Sequence, residues 1–87
     1  DRLEADFAAC LEHEVPVLLT SYGNPTEFVK RAHARNALVF HDVIHKNHAL
    51  KAEAAGVDAI IAVSQGAGGR AGTISPFVLV PYLREHV

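Results

Sequence analysis

The stretch Ala37-Leu38-Val39-Phe40-His41-Asp42-Val43 is followed by a helical run from about Lys46 to Ala55, by Gly56, and then by Asp58-Ala59-Ile60-Ile61-Ala62-Val63. Each flanking segment is short, rich in branched residues and apolar almost throughout, which is the pattern of a strand buried on both faces. Gly56 stands where a helix hands over to a left-handed cap. Strand, helix, glycine and strand in that order predict a βαβ unit with parallel strands.

The same reading extends outward. Val15-Pro16-Val17-Leu18-Leu19-Thr20-Ser21 is an earlier apolar strand, so strands begin near Val15, Ala37 and Asp58. That period of about 21 residues is the length of one βα repeat. Asn24-Pro25-Thr26-Glu27 opens a helix to about Arg35: Asn24 can cap, Pro25 suits the first helical position and Glu27 completes a capping-box spacing. An amphipathic helix over 2–14 precedes the first strand, with Leu3, Phe7, Cys10 and Leu11 on its apolar stripe. Ser75-Pro76 starts a last helix to about His86, in which Pro81 removes one backbone donor and predicts a kink. The expected fold class is α/β, parallel βα units with about three strands in one partial domain over 1–87. Helices cover one sheet face. The other needs further helices, as in a doubly wound fold, or opposing strands, as in a barrel.

Composition narrows the function. The chain has 87 residues, 49% apolar and 21% charged, with net charge −2 and no basic stripe, so nucleic acid is not an expected partner. Its apolar runs fall short of the roughly 18 residues of a membrane span. No signal peptide is evident, and the single cysteine, Cys10, fits a reducing cytoplasm and reads as core rather than nucleophile. The start at Asp1 and the lack of methionine suggest a processed or excised piece. A chain this small buries only about 60–65% of its unfolded surface, so association with itself or with the remainder of a larger domain is expected.

In parallel α/β folds ligands bind at the C-terminal ends of the strands, here Thr20-Ser21, His41-Asp42 and Val63-Ser64. Two features fall there. Gln65-Gly66-Ala67-Gly68-Gly69-Arg70-Ala71-Gly72-Thr73 is a loop whose glycines let backbone approach a flat or anionic ligand. It is not a dinucleotide fingerprint, because the helix starts only at Ser75-Pro76, and it lacks the Gly-Lys-Ser/Thr of a P-loop. The second is His41-Asp42-x-x-His45-x-x-His48. Its histidines are divided between a strand end and a helix, so convergence on a metal is not expected. His41 is expected to pack against a neighbouring loop, His45 to lie near a helix N-terminus, and His48, like His13, His33 and His86, to be solvated. Asp42 is placed to point into any site at the strand ends.

Val39-Phe40-His41-Asp42-Val43, the run His48 to Ala59 with its A-E-A-A-G-V-D-A, and Ala67-Gly68-Gly69-Arg70-Ala71-Gly72-Thr73-Ile74-Ser75-Pro76-Phe77 together resemble the 2-nitropropane dioxygenase or nitronate monooxygenase family. The resemblance implies a partial (βα)8 TIM barrel with FMN as cofactor, a nitronate or related small molecule as substrate, and oxidation of alkyl nitronates with oxygen. Relatives that reduce quinones or enoyl thioesters with NAD(P)H are the alternative. By the same resemblance Gly68, Gly69 and Asp42 line the flavin, and Arg70 stands at the position of a catalytic histidine. Histidine accepts a proton at neutral pH and arginine does not, so this departure implies anion binding in place of acid–base work. The phosphate anchor of such barrels comes from the last strands, which lie outside this chain. The chain alone is expected to be inactive, and a non-catalytic fragment or degenerate paralogue, or a metal-binding module on the three histidines, are the contrasting readings.

Overall fold

The computed structural model describes residues 2–21, 23–69 and 71–87. Seven elements alternate: α1 (Arg2–Glu12), β1 (Val17–Thr20), α2 (Thr26–His33), β2 (Leu38–Val43), α3 (Lys46–Ala55), β3 (Ala59–Ala62) and α4 (Pro76–His86). The strands form one sheet in the order β1-β2-β3, with both pairings parallel. Helices and strands fall where the 21-residue period puts them.

The period is realised as one turn built three times. Past α1, α2 and α3, the residues Glu14, Asn36 and Gly56 all have positive φ, at 57°, 62° and 90°. Their amides donate to the carbonyls of Leu11, His33 and Glu53 at 3.1, 3.0 and 3.0 Å. The next amides, of Val15, Ala37 and Val57, donate to Cys10, Ala32 and Ala52 at 3.2, 2.9 and 3.3 Å. This paired pattern is the Schellman motif, which satisfies carbonyls that a helix end leaves open. Each αβ connection thus leaves its helix through the same paired turn, and the strands begin two or three residues further on, at Val17, Leu38 and Ala59.

Alternation along the strands decides which face is covered. Val39, His41 and Val43 of β2 are buried with Leu18 of β1 beneath the helices. Two core clusters fill that layer: Phe7, Leu11, Leu18, Val29, Ala32, Ala37 and Val39 on one side, and Val43, Ala49, Ala52, Leu79 and Leu83 on the other. The many alanines let the helices lie close to the sheet. On the opposite face Leu19 is 69% and Leu38 45% exposed. A run of apolar residues on both faces, with only one face covered, marks a sheet built to be closed by something further.

Several local expectations need correction. Leu3 does not join the buried stripe of α1; it is 62% exposed and lines an apolar groove with Phe7, Leu18, Leu19 and Phe28. No strand among the described residues fills the space between α1 and the free edge of β1. The start of α2 falls one residue later than the capping pattern suggests, at Thr26, although the Asn24 side chain still accepts the Thr26 amide at 3.0 Å and the Thr26 hydroxyl as well. The last helix is as expected: α4 spans Pro76–His86 with Pro81 inside it, and Ser75 caps it by accepting the Phe77 amide at 3.2 Å. The Phe77 carbonyl, whose usual donor would be residue 81, lies on an exposed stretch where water can serve it.

Candidate functional site

The C-terminal ends of the three strands bring together Thr20-Ser21, His41-Asp42 and Val63-Ser64. Thr20 is in register with His41, and the two side chains share a 2.7 Å hydrogen bond between Oγ1 and Nδ1. One residue further on, the Ser21 hydroxyl donates to Asp42 Oδ2, also at 2.7 Å. Because side chains alternate along a strand, these bonds lie on opposite faces of the sheet. The first is on the helix side, where His41 is only 4% exposed. His41 thus lies on the helix side of the sheet, in the wall of a small depression that Gly23 and Pro25 of the loop after β1 also line. The second is on the open face, where the half-buried Asp42 stands beyond Leu38 and Phe40.

The other two histidines of the motif belong to the start of α3. His45 caps α3, its Nδ1 accepting the His48 amide at 3.4 Å, and the two rings stack with centroids 3.7 Å apart. A small depression at the strand ends has His41, Asp42, His48 and Lys51 in its wall. Among the described residues no group of three or more His, Cys, Asp or Glu side chains could hold a metal ion.

The glycine loop leaves β3 at the same end. Its base is closed by the Gln65 amide donating to the Ile74 carbonyl at 2.8 Å and the Gly72 amide to Ser64 at 3.3 Å. The Val63 amide donates to Val43 at 2.8 Å, so the loop starts directly beside the end of β2. Its glycines differ in what they are for. A Cβ on Gly72 would meet the Val63 carbonyl oxygen at 2.5 Å, so packing requires glycine there. Gly66 and Gly69 have φ of 90° and 73°, a conformation that L side chains rarely adopt. Gly68 has neither reason: its φ is not positive, and a Cβ there would meet nothing within 4 Å. Arg70 lies outside the described residues.

Two partners escaped the reading of the sequence. Ser21 was only part of a strand end; the signal for its pairing is the 21-residue period, since Ser21 and Asp42 are 21 apart, as are Thr20 and His41. His33 is not simply solvated. Its Nε2 donates to Asp58 Oδ2 at 2.7 Å, and the same oxygen accepts the Val39 amide at 2.8 Å. The His33 bond, and then the Val39 amide, hold the Asp58 carboxyl below its usual range. This cluster sits at the N-terminal ends of β2 and β3, away from the candidate site.

No protein-family model matches the chain. In sequence it is 37% identical over 76 residues to a Mycobacterium tuberculosis protein named as a monooxygenase, a match covering 86% of this chain and 20% of that protein. In structure it is similar to FabK from Thermotoga maritima, with TM-score 0.87 and 33% identity over 93% of this chain and 26% of that one. It is similar also to a nitroalkane oxidase from Streptomyces ansochromogenes, with TM-score 0.86 and 28% identity over 98% of this chain and 28% of that one. The chain spans about a fifth of the curated relative and about a quarter of the solved structures. These matches bear out the resemblance to the 2-nitropropane dioxygenase family, and the reading of the fold as a partial (βα)8 barrel. No helix among the described residues is long and apolar enough to cross a membrane.

Proposed function

We propose that this chain forms one wall of the flavin site of an oxidoreductase that takes FMN as cofactor and a nitronate or a related small anion as substrate. The observation that carries the reading is Gly68. It is a glycine at a strand end that neither backbone conformation nor packing within the chain demands, and the space where its Cβ would stand is open. A flat ring lying against the loop fits that space, because a glycine lets a ligand approach the backbone closely. The residues present therefore fit a flavin: Gly68 and Gly69 along the ring and Asp42 at the neighbouring strand end. Bound flavin supplies reversible uptake of an electron pair from the substrate.

The chain's own residues then bind and orient. Arg70 keeps its charge at neutral pH and pairs with an anionic substrate, a role its fork of N–H donors suits better than proton abstraction. The exposed Leu19 and Leu38, with Phe40, form an apolar floor that closes against further strands of a barrel and keeps water from the site.

The test uses the protein expressed from its complete reading frame. The reading expects a purified protein with visible flavin absorbance, FMN on acid release, and nitronate-dependent oxygen uptake. Arg70→His is expected to raise turnover, because it restores a group that can take a proton. Absence of flavin after purification and after incubation with excess FMN overturns the reading.

A further inference from the structure

The bond between Ser21 and Asp42 has a chemical consequence for what can bind beside it. A hydroxyl has one proton and a carboxylate has none. The Ser21 proton is committed to Asp42 Oδ2 at 2.7 Å. What the pair offers to a ligand is then lone pairs alone, on Ser21 Oγ and on the remaining carboxylate oxygen. A ligand edge made of carbonyls meets repulsion there, and an edge bearing N–H or O–H meets acceptors.

The pair is not needed to hold the strands together. The backbone ladder runs through Thr20 and His41, and those two side chains are already bonded across the same strands on the other face. Nor does burial require it, since Ser21 is exposed. The rest of the open face is apolar, with Leu19, Leu38, Phe40 and Ile61. An apolar floor ending in an acceptor pair suits a flat ring with a polar edge that carries a donor.

We propose, resting on the flavin-site reading above, that Ser21 and Asp42 act as one acceptor pair that receives the imide N–H of the flavin ring, with Ser21 as the positioning residue that fixes the carboxylate. The flavin edge has that N–H between two carbonyls, so orientation matters. A carboxylate held by Ser21 can meet the N–H while standing clear of the flanking oxygens. A carboxylate free to rotate cannot maintain that alignment.

The experiment compares riboflavin with N3-methylriboflavin, which lacks the imide proton, by fluorescence titration of the protein from its complete reading frame. Wild type is expected to bind riboflavin about tenfold more tightly than the methylated ring, the size of one hydrogen bond to a charged group. Ser21→Ala is expected to bring that ratio close to one by weakening riboflavin binding, and Ser21→Thr, which keeps the hydroxyl, to restore it. Circular dichroism and elution volume are expected to be unchanged in both variants. A steric objection to the methyl group alone would survive Ser21→Ala, so a ratio unaltered by that substitution overturns the role of Ser21. A wild-type ratio of one overturns the pair while leaving the flavin site standing. Failure of wild type to bind either compound overturns the flavin-site reading itself.

Discussion

The two ends of the sheet are built on different principles. At the N-terminal ends of the strands the chain makes the same turn three times, through Glu14, Asn36 and Gly56, with the same pair of backbone hydrogen bonds at each. Asp58 adds a side-chain tie there that joins the end of α2 to the starts of β2 and β3. At the C-terminal ends nothing repeats. A short turn follows β1, a helix capped by His45 follows β2, and an eleven-residue glycine loop from Ser64 to Ile74 follows β3. One end is regular and internally satisfied. The other is irregular, with open space at Gly68 and an acceptor pair at Ser21 and Asp42. The repeated backbone ties and the proposed ligand site thus lie at opposite ends of the same strands, as is usual in barrels.

The sharpest challenge to this division comes from within the glycine loop. Gly72→Ala is expected to destabilise the fold by about 2–3 kcal/mol in urea denaturation, because its Cβ would meet a backbone oxygen at 2.5 Å. Gly68→Ala is expected to leave the denaturation midpoint unchanged while lowering flavin content several-fold. Equal effects of the two substitutions on stability would erase the distinction between structural and ligand-facing glycines.

At the opposite end, Asp58→Ala is expected to cost about 1–2 kcal/mol, by removing the bond to His33 and leaving the Val39 amide without its carboxylate. The pH dependence has a defined sign. The Asp58 carboxyl is held below its ordinary value in the folded state, so its contribution is complete above the ordinary carboxylate range. That contribution disappears as pH falls through the lowered folded value. Wild type should therefore lose more stability on acidification than Asp58→Ala, measured as the difference in denaturation midpoint between neutral and acid pH.

The smallest expected effect tests the repeated turn. Glu14→Gly should stabilise the protein by about 1 kcal/mol, because the left-handed backbone there is unfavourable for a residue with a Cβ. Gly56→Ala should destabilise it by a similar amount, since a Cβ there finds only ordinary contact with Val29 and backbone strain dominates. Opposite signs at equivalent places in two turns would confirm that the turns are one structure.

The regular end was far more legible in the sequence than the irregular one. Period and punctuation locate α3 at its observed bounds and Gly56 at the end of it, because backbone hydrogen bonding at helix ends is local. Contacts that join distant residues were not local. His33 reaches Asp58 across 25 positions, and nothing in composition distinguishes that histidine from a solvated one. The side of the sheet taken by His41 follows from strict alternation about Asp42, yet an apolar strand hides that alternation until the helices show which face they cover. Leu3 reads as core because its spacing is right; its groove is open because the space beside β1 holds no strand among the described residues.

The threefold turn has a consequence for how such a chain can be assembled over evolutionary time. The unit that carries its own hydrogen-bonded joint is helix–turn–strand, not strand–helix. Recombination that cuts after a strand transfers each unit with its joint intact. A cut between helix and strand divides the six-residue motif and leaves helix carbonyls unserved on one parental piece. Crossovers after strands also exchange the variable loops as a set. Ligand chemistry can therefore be shuffled between relatives while the joints that hold the sheet in register are inherited whole.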